Sequence, residues 1–178
     1  VDISDEVSDF SLYSPDMLMK KADIRKGDIL IINTGYHKYG WDQPQADEVR
    51  YMVKHPGPDA DFHKWAQEMK FKWIGVDCGS ADHPMNTILR DWHPKLFAKA
   101  EAKLKETHGK AWDEYYPPEE YYQVMHLKMF PLGIVHAENI GGDIDKLNNK
   151  RTWIGLFPWR AIELESCISR IVAFEFDK

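Results

Sequence analysis

Two histidines and a glutamate stand among apolar residues in the segment M-H-L-K-M-F-P-L-G-I-V-H-A-E, residues 125–138. His126 and Glu138 are twelve positions apart, and the Pro-Leu-Gly turn at 131–133 between them allows two adjacent elements to bring these side chains together. A neutral imidazole and a carboxylate are ligands that suit Zn²⁺ or Mn²⁺. His136 competes for the same role, because on a strand it would share a face with Glu138. The alternative interpretation is a hydrogen-bonded core histidine without a metal.

A second group of polar residues follows the apolar segment W-I-G-V-D at 73–77. The carboxyl end of a buried strand is a common place for a functional site, so His83 is a candidate for contact with a substrate. Asp77 and Ser80 are interpreted as turn residues whose side chains accept hydrogen bonds from backbone amides. Cys78 and His83 raise the alternative of a thiol nucleophile, but no G-x-C-x-G-like elbow accompanies them.

The third group is the segment T-G-Y-H-K-Y-G-W-D, residues 34–42. It follows a predicted buried strand, and Tyr36, His37 and Trp41 are candidates for lining a substrate pocket. The alternatives are that this aromatic loop packs on its own domain or covers a neighbouring subunit.

The elements that must position these groups alternate between helices and strands. Ser14 is a predicted N-cap, and Pro15 suits the first position of the helix that follows. The predicted helices span 14–24, 62–69 and 94–107, with another starting at 117–120, and the predicted strands span 29–32, 73–77, 152–158 and 169–176. We expect strands 29–32 and 73–77 to be buried on both faces and 169–176 to have one covered face. The alternation indicates a single α/β domain over residues 1–178 with a mixed sheet.

Composition excludes several classes of protein. The net charge is −6, and no basic block indicates binding to nucleic acid. No apolar run approaches the roughly 18 residues of a membrane span. Seven Trp, eight Tyr and eight Phe favour an aromatic pocket or interface. Cys78 and Cys167 form no disulfide framework and are interpreted as reduced thiols of a cytoplasmic protein. The chain also lacks G-x-G-x-x-G, P-loop, G-x-S-x-G and C-x-x-C motifs, which argues against nucleotide-dependent and serine-hydrolase chemistry.

The order of several segments resembles the cyclase-like metal-dependent hydrolases, the family that includes kynurenine formamidase and isatin hydrolase. The resemblance covers essentially all 178 residues. It is carried by I-R-K-G-D-I-L-I-I-N-T-G at 24–35, W-I-G-V-D-C-G-S-A-D-H-P at 73–84, the His126-x11-Glu138 spacing, N-I-G-G-D-I at 139–144 and a closing strand with Arg170. It implies a swivelling β/β/α domain with a mixed sheet flanked by helices.

Members of that family hydrolyse amide-type C–N bonds in formamides, lactams or cyclic imides, and some act on lactones. Their divalent metal site uses an early His-x-x-x-His-x-Asp motif, a later His and, twelve residues on, a Glu or Gln. The resemblance therefore implies that His126, in preference to His136, and Glu138 hold Zn or Mn. It also implies that the turn at 139–143 holds Glu138 in place.

This sequence departs from the family at its start, since residues 1–12 contain no histidine. The early motif and the family's catalytic histidine are therefore missing, and no catalytic residue is assigned in this chain. Either a second chain supplies them, as a separate subunit or a piece released before Val1, or the activity has been lost. We expect the first, because an unpaired buried carboxylate at Glu138 would be costly. Val1 itself suggests a processed product, an expressed piece or a trimmed start.

The expected function is thus metal-dependent hydrolysis of an amide-type C–N bond in a small molecule, carried out in a homo- or hetero-oligomer. The alternative is a non-catalytic structural or regulatory subunit of a cyclase-like assembly. Metal content distinguishes the two.

Overall fold

The structure, a computed structural model, describes residues 1–176 and combines short helices with three small sheets. The helices are α1 (Pro15–Lys21), α2 (Glu48–Val53), α3 (Phe62–Met69), α4 (Leu89–Trp92), α5 (Pro94–His108), α6 (Trp112–Tyr115) and α7 (Pro118–Tyr121). The strands are β1 (Leu12–Tyr13), β2 (Ile29–Ile32), β3 (Gly57–Pro58), β4 (Trp73–Val76), β5 (Val135–Ala137), β6 (Trp153–Pro158) and β7 (Ser169–Phe174).

The central sheet is parallel, with strand order β2-β4-β5. Its middle strand, β4, is buried at all four positions, as the continuous apolar run predicts. Gly75 lies in β4 next to the δ-methyl groups of Ile31 and Ile140, and a Cβ at Gly75 would approach each of them to 2.6 Å. Side chains from β2 and from the segment after β5 are therefore packed directly against the middle strand at Gly75.

The other pairings lie in separate sheets. β1 pairs with β3 in parallel, and β6 pairs with β7 antiparallel. The α/β class is confirmed, but the expected mixed sheet is replaced by distinct parallel and antiparallel sheets. β2 is an edge strand, so the prediction that it is buried on both faces is wrong at Ile29, which is 37% exposed.

The helices form where their end signals predicted them. Ser14 caps α1 by accepting a hydrogen bond from the Met17 amide at 3.1 Å. α5 ends at Gly109, which adopts the left-handed conformation that glycine tolerates. The segment from 117 forms only the single turn α7. Much of the core between these helices is aromatic, and its largest fully buried side chains include Trp112, Tyr13, Tyr116 and Phe62.

The β6–β7 hairpin lies outside this core. None of residues 151–176 is buried, and Trp153, Trp159 and Ile168 are 75%, 79% and 87% exposed. The prediction that the last strand has one covered face is therefore wrong. Both strands form as expected, but they pair with each other and leave their apolar side chains accessible.

No helix within residues 1–176 is both long and apolar enough to cross a membrane.

Candidate functional site

The candidate site lies where the three strands of the central sheet end. Because β2, β4 and β5 are parallel, their carboxyl ends meet at one edge of the sheet. His37 follows β2, Asp77 and Asp82 follow β4, and Glu138 follows β5 directly. Residues far apart in sequence are thereby gathered at a single edge.

His126 lies in a π-helical turn, Met125–Met129, just after Gln123, which has a positive φ of 46°. Such turns are rare and often occur at functional sites. The buried carboxylate of Asp82 fixes the turn, because it accepts hydrogen bonds from the Met125 amide at 2.9 Å and from the His126 amide at 3.2 Å. The same carboxylate lies 2.7 Å from His126 Nδ1, which leaves Nε2 facing outward.

Glu138 faces this second ring nitrogen. Its Oε1 lies 3.3 Å from His126 Nε2 and accepts a hydrogen bond from the Ala81 amide at 2.8 Å. Asn139, the next residue, has a positive φ of 59°, and its amide donates to the Cys78 carbonyl at 3.0 Å. The backbone of the segment that follows β4 thus holds Glu138 and the next residue in position.

His136 joins the same cluster from β5. Its ring stacks on Phe130 with a centroid distance of 4.0 Å and an interplanar angle of 2°, and it meets the His126 ring edge-on at 5.1 Å. One ligand atom from each of His126, His136 and Glu138 lies within 4.8 Å of the others. Sequence alone left His126 and His136 as competitors, whereas the structure brings both to Glu138.

The charges in the cluster are strongly coupled. Hydrogen bonds to Asp82 and then to Glu138 raise the pKa of His126 to about 10. Burial favours the neutral form of Glu138, but hydrogen bonds from His126 and the Ala81 amide outweigh it and lower the pKa of that carboxyl group. Burial lowers the pKa of His136. Without a metal, the cluster therefore holds an imidazolium beside a carboxylate at neutral pH.

His37 is held in the same manner at the end of β2. Its Nδ1 and its amide lie 2.9 and 3.2 Å from Asp77 Oδ2, and its Nε2 lies 3.3 Å from Asp145 Oδ2. Asp77 also accepts hydrogen bonds from the amide and the hydroxyl of Thr34. The expectation that Asp77 caps its own turn is therefore wrong, because its carboxylate serves the loop after β2. Ser80 does act locally, accepting from the Asp82 amide.

The remaining candidates for substrate contact are not gathered at this cluster. Tyr36 is buried, and its hydroxyl donates to Asp9 at 2.6 Å. Trp41 is 92% exposed. His83 is 1% exposed, accepts a hydrogen bond from the Met85 amide and packs beside Trp112, and burial lowers its pKa to about 3. This enclosure argues against the prediction that His83 contacts a substrate.

The environment of Cys78 does not suit a thiolate nucleophile. The residue is 1% exposed, and its thiol donates to the Ser80 carbonyl at 3.4 Å. Burial raises the pKa of this thiol well above its ordinary value. The protonated form therefore dominates.

Two acidic residues of the site have no spacing signal in the sequence. Asp82 contacts His126 across 44 positions, and Asp145 contacts His37 across 108. The only local hint for Asp82 is its place in a polar turn after a buried strand. Asp145 lies in the turn Ile144–Leu147 and is also held by the side chain of Asn33 at 2.8 Å.

The donor set fits a divalent metal ion. His126 and Glu138 offer the nitrogen and oxygen ligands that Zn²⁺ and Mn²⁺ accept. Asp82 behind His126 Nδ1 reproduces the carboxylate–histidine arrangement that orients metal-bound imidazoles in proteins. The Ala81 amide plays the corresponding part for Glu138.

Comparison with known proteins agrees with this architecture. Residues 1–83 match the sequence model of a family described as putative cyclase. No curated protein sequence matches this chain. Two solved structures share the fold: a potential metal-dependent hydrolase with cyclase activity, and an isatin hydrolase bound to the product analogue thioisatinate.

The similarity to both structures is one of fold. The potential hydrolase has a TM-score of 0.59 and 12% identity over 100% of this chain and 64% of its own. The isatin hydrolase has a TM-score of 0.63 and 17% identity over 97% of this chain and 57% of its own. The chain thus spans less than two thirds of the length of either protein. The family model thus matches the amino-terminal 83 residues, just under half of the chain, and the likeness to the two solved structures is one of fold.

Proposed function

We propose that this chain is part of a metal-dependent hydrolase that cleaves an amide-type C–N bond in a small molecule. His126 and Glu138 hold a divalent cation, Zn or Mn. A second polypeptide segment with a His-x-x-x-His-x-Asp motif supplies further ligands and the general acid. The observation that carries the proposal is the 3.3 Å approach of His126 Nε2 to Glu138 Oε1, with Asp82 bonded to the other ring nitrogen.

A divalent cation bound here supplies Lewis acidity and lowers the pKa of coordinated water. The residues of this chain do the positioning. Asp82 would keep one proton of His126 on Nδ1, so that Nε2, once it has lost its proton, would offer its lone pair to a cation. The Ala81 amide fixes Glu138 Oε1. Neither side chain has to be reordered when the cation arrives, which favours binding.

Chemistry and comparison support the proposed substrate class. One structure with the same fold is an isatin hydrolase, and isatin is a lactam. Formamides and cyclic imides present the same electrophilic carbonyl attached to nitrogen. His37, which is held at the end of β2 by Asp77, is a proposed substrate contact. We place this activity in a cytoplasmic oligomer in which residues 1–178 form one domain.

The proposal is tested on the native assembly, purified with whatever polypeptide accompanies this chain. Intact-mass analysis should reveal a histidine-bearing segment, and elemental analysis should find about one or two Zn or Mn per assembly. Turnover is assayed with a formamide, isatin and a cyclic imide. His126→Ala and Glu138→Gln should each lower metal content and turnover at least about tenfold.

His108→Ala is the matched control, because His108 is exposed on α5 and outside the cluster. An assembly that is free of metal and is not activated by added Zn²⁺ or Mn²⁺ would contradict the proposal. That result would identify a structural or regulatory subunit.

A further inference from the structure

We infer that His136 is a third metal ligand, so that this chain alone forms a His126–His136–Glu138 zinc site with an open coordination position. The inference rests on the proposed function for the pair His126 and Glu138. It goes further by adding a donor that the twelve-residue spacing does not include. It also makes cation binding independent of any second polypeptide.

The distances within the cluster carry the first step. One donor atom from each of the three residues lies within 4.8 Å of the others, and the pair His126–Glu138 is already at 3.3 Å. Bonds of about 2.0–2.2 Å to Zn²⁺ place two tetrahedral donors roughly 3.4 Å apart. The widest separation therefore has to close by no more than about 1.4 Å, which small rotations of the side chains supply.

The second step concerns the freedom of the His136 lone pairs. Within residues 1–176, neither ring nitrogen of His136 has a hydrogen-bond partner, whereas His126 uses both of its nitrogens. The His136 ring is instead oriented by its stack on Phe130 at 4.0 Å. Its backbone is fixed in β5, where it lies opposite Ile74 of the central strand. A rigid backbone and an unused donor are what a ligand position requires.

The third step is the chemistry of the set. Two imidazoles and one carboxylate form a donor set found in catalytic zinc sites, where the fourth position is left to water or substrate.

The experiment titrates the isolated 178-residue chain with ZnSO₄ alone, in competition with a chromophoric chelator. We expect the wild type to bind about one ion, and His136→Ala to weaken that binding at least about tenfold. His126→Ala and Glu138→Gln should weaken it as much, and His108→Ala should leave it unchanged. Circular dichroism confirms that each variant is folded.

Each outcome separates the inference from the function on which it rests. If His136→Ala binds zinc like the wild type while His126→Ala does not, the inference is overturned and the proposed pair stands. If none of the three substitutions matters, both fail. A second readout needs no variant: with Co²⁺ bound to the wild type, the paramagnetically shifted NMR signals should come from two imidazoles, and signals from one imidazole would refute the role of His136.

Discussion

Asp82 binds His126 twice, through the ring nitrogen Nδ1 at 2.7 Å and through the backbone amide at 3.2 Å. The substitution Asp82→Asn replaces one carboxylate oxygen with an NH₂ group. That group would face a backbone N–H from which Asp82 now accepts a hydrogen bond, so two donors would oppose each other. We expect zinc affinity to fall about ten- to a hundredfold, because the imidazole loses its fixed orientation. Calorimetric titration of the isolated chain measures this.

Asp77→Asn is the matched control for that experiment. Asp77 also follows β4, and it binds the ring nitrogen and the amide of His37 as Asp82 binds those of His126. It does not contact His126, His136 or Glu138. It should leave zinc affinity unchanged. Equal losses in the two variants would mean that the whole edge of the sheet had shifted, and not that His126 had lost its orientation.

Zinc binding should release protons from His126. With a pKa of about 10, this imidazole carries two protons at about pH 7.5, and coordination through Nε2 removes one. The lowered pKa values of Glu138 and His136 mean that these groups contribute little to the release. Calorimetry in buffers of different ionisation enthalpy should give about one proton per ion, and a heat independent of the buffer would contradict this.

The stability of the chain should depend on pH through His37. The hydrogen bond to Asp77 raises the pKa of His37 above its ordinary value of 6.5. Because the pKa of His37 is higher in the folded chain than in the unfolded chain, protonated His37 stabilises the fold fully at pH values below the unfolded-state pKa. This stabilisation is lost as the pH rises through the folded-state pKa. In urea unfolding, His37→Gln should therefore cost more at about pH 5.5 than at about pH 9. An equal cost at both values would show that His37 is neutral throughout.

The two cysteines should react very differently with iodoacetamide. Cys167 is exposed, whereas Cys78 is buried and burial raises the pKa of its thiol. Intact-mass analysis of the native chain should show one adduct, and the Cys167→Ser variant should show none. Alkylation of Cys78 in the folded chain would reopen the thiol-nucleophile alternative.

Trp112 and Trp159 offer a paired test of where the core lies. Trp112 is 0% exposed, and its Nε1 donates to Asn86 at 2.8 Å. Trp112→Phe should cost about 1–3 kcal/mol of unfolding free energy, because Asn86 loses its partner in a buried site. Trp159 is 79% exposed, so Trp159→Phe should change stability by less than about 0.5 kcal/mol. Urea denaturation measures both, and similar losses would place Trp159 in a packed environment.

Local signals in the sequence predicted the elements well. Ser14 and Pro15 predicted the start of α1, and the apolar run at 73–76 predicted the buried strand β4. Burial was predicted less well, because it depends on neighbours in space. Ile29 is partly exposed since β2 is an edge strand, and the hairpin at 153–174 has no neighbour that covers it within the described chain.

The proximity of the candidate ligands was predictable only where their spacing in the sequence indicates it. His126 and Glu138 are twelve positions apart, and a turn between them brings them together. His83 is buried, because a polar residue after a strand can point inward as readily as outward. Asp82 and Asp145 reach their histidines across 44 and 108 positions, and no local pattern records contacts of that length.

The exposed β6–β7 hairpin can be labelled chemically at a single position. Its only thiol, Cys167, sits in the exposed connection between β6 and β7, and no side chain of residues 151–176 is buried. The emission of a fluorophore attached to Cys167 would change when another molecule approaches the hairpin, and the label would leave His126 and His136 chemically unmodified. Contact between the hairpin and another polypeptide could therefore be measured by fluorescence, separately from catalysis.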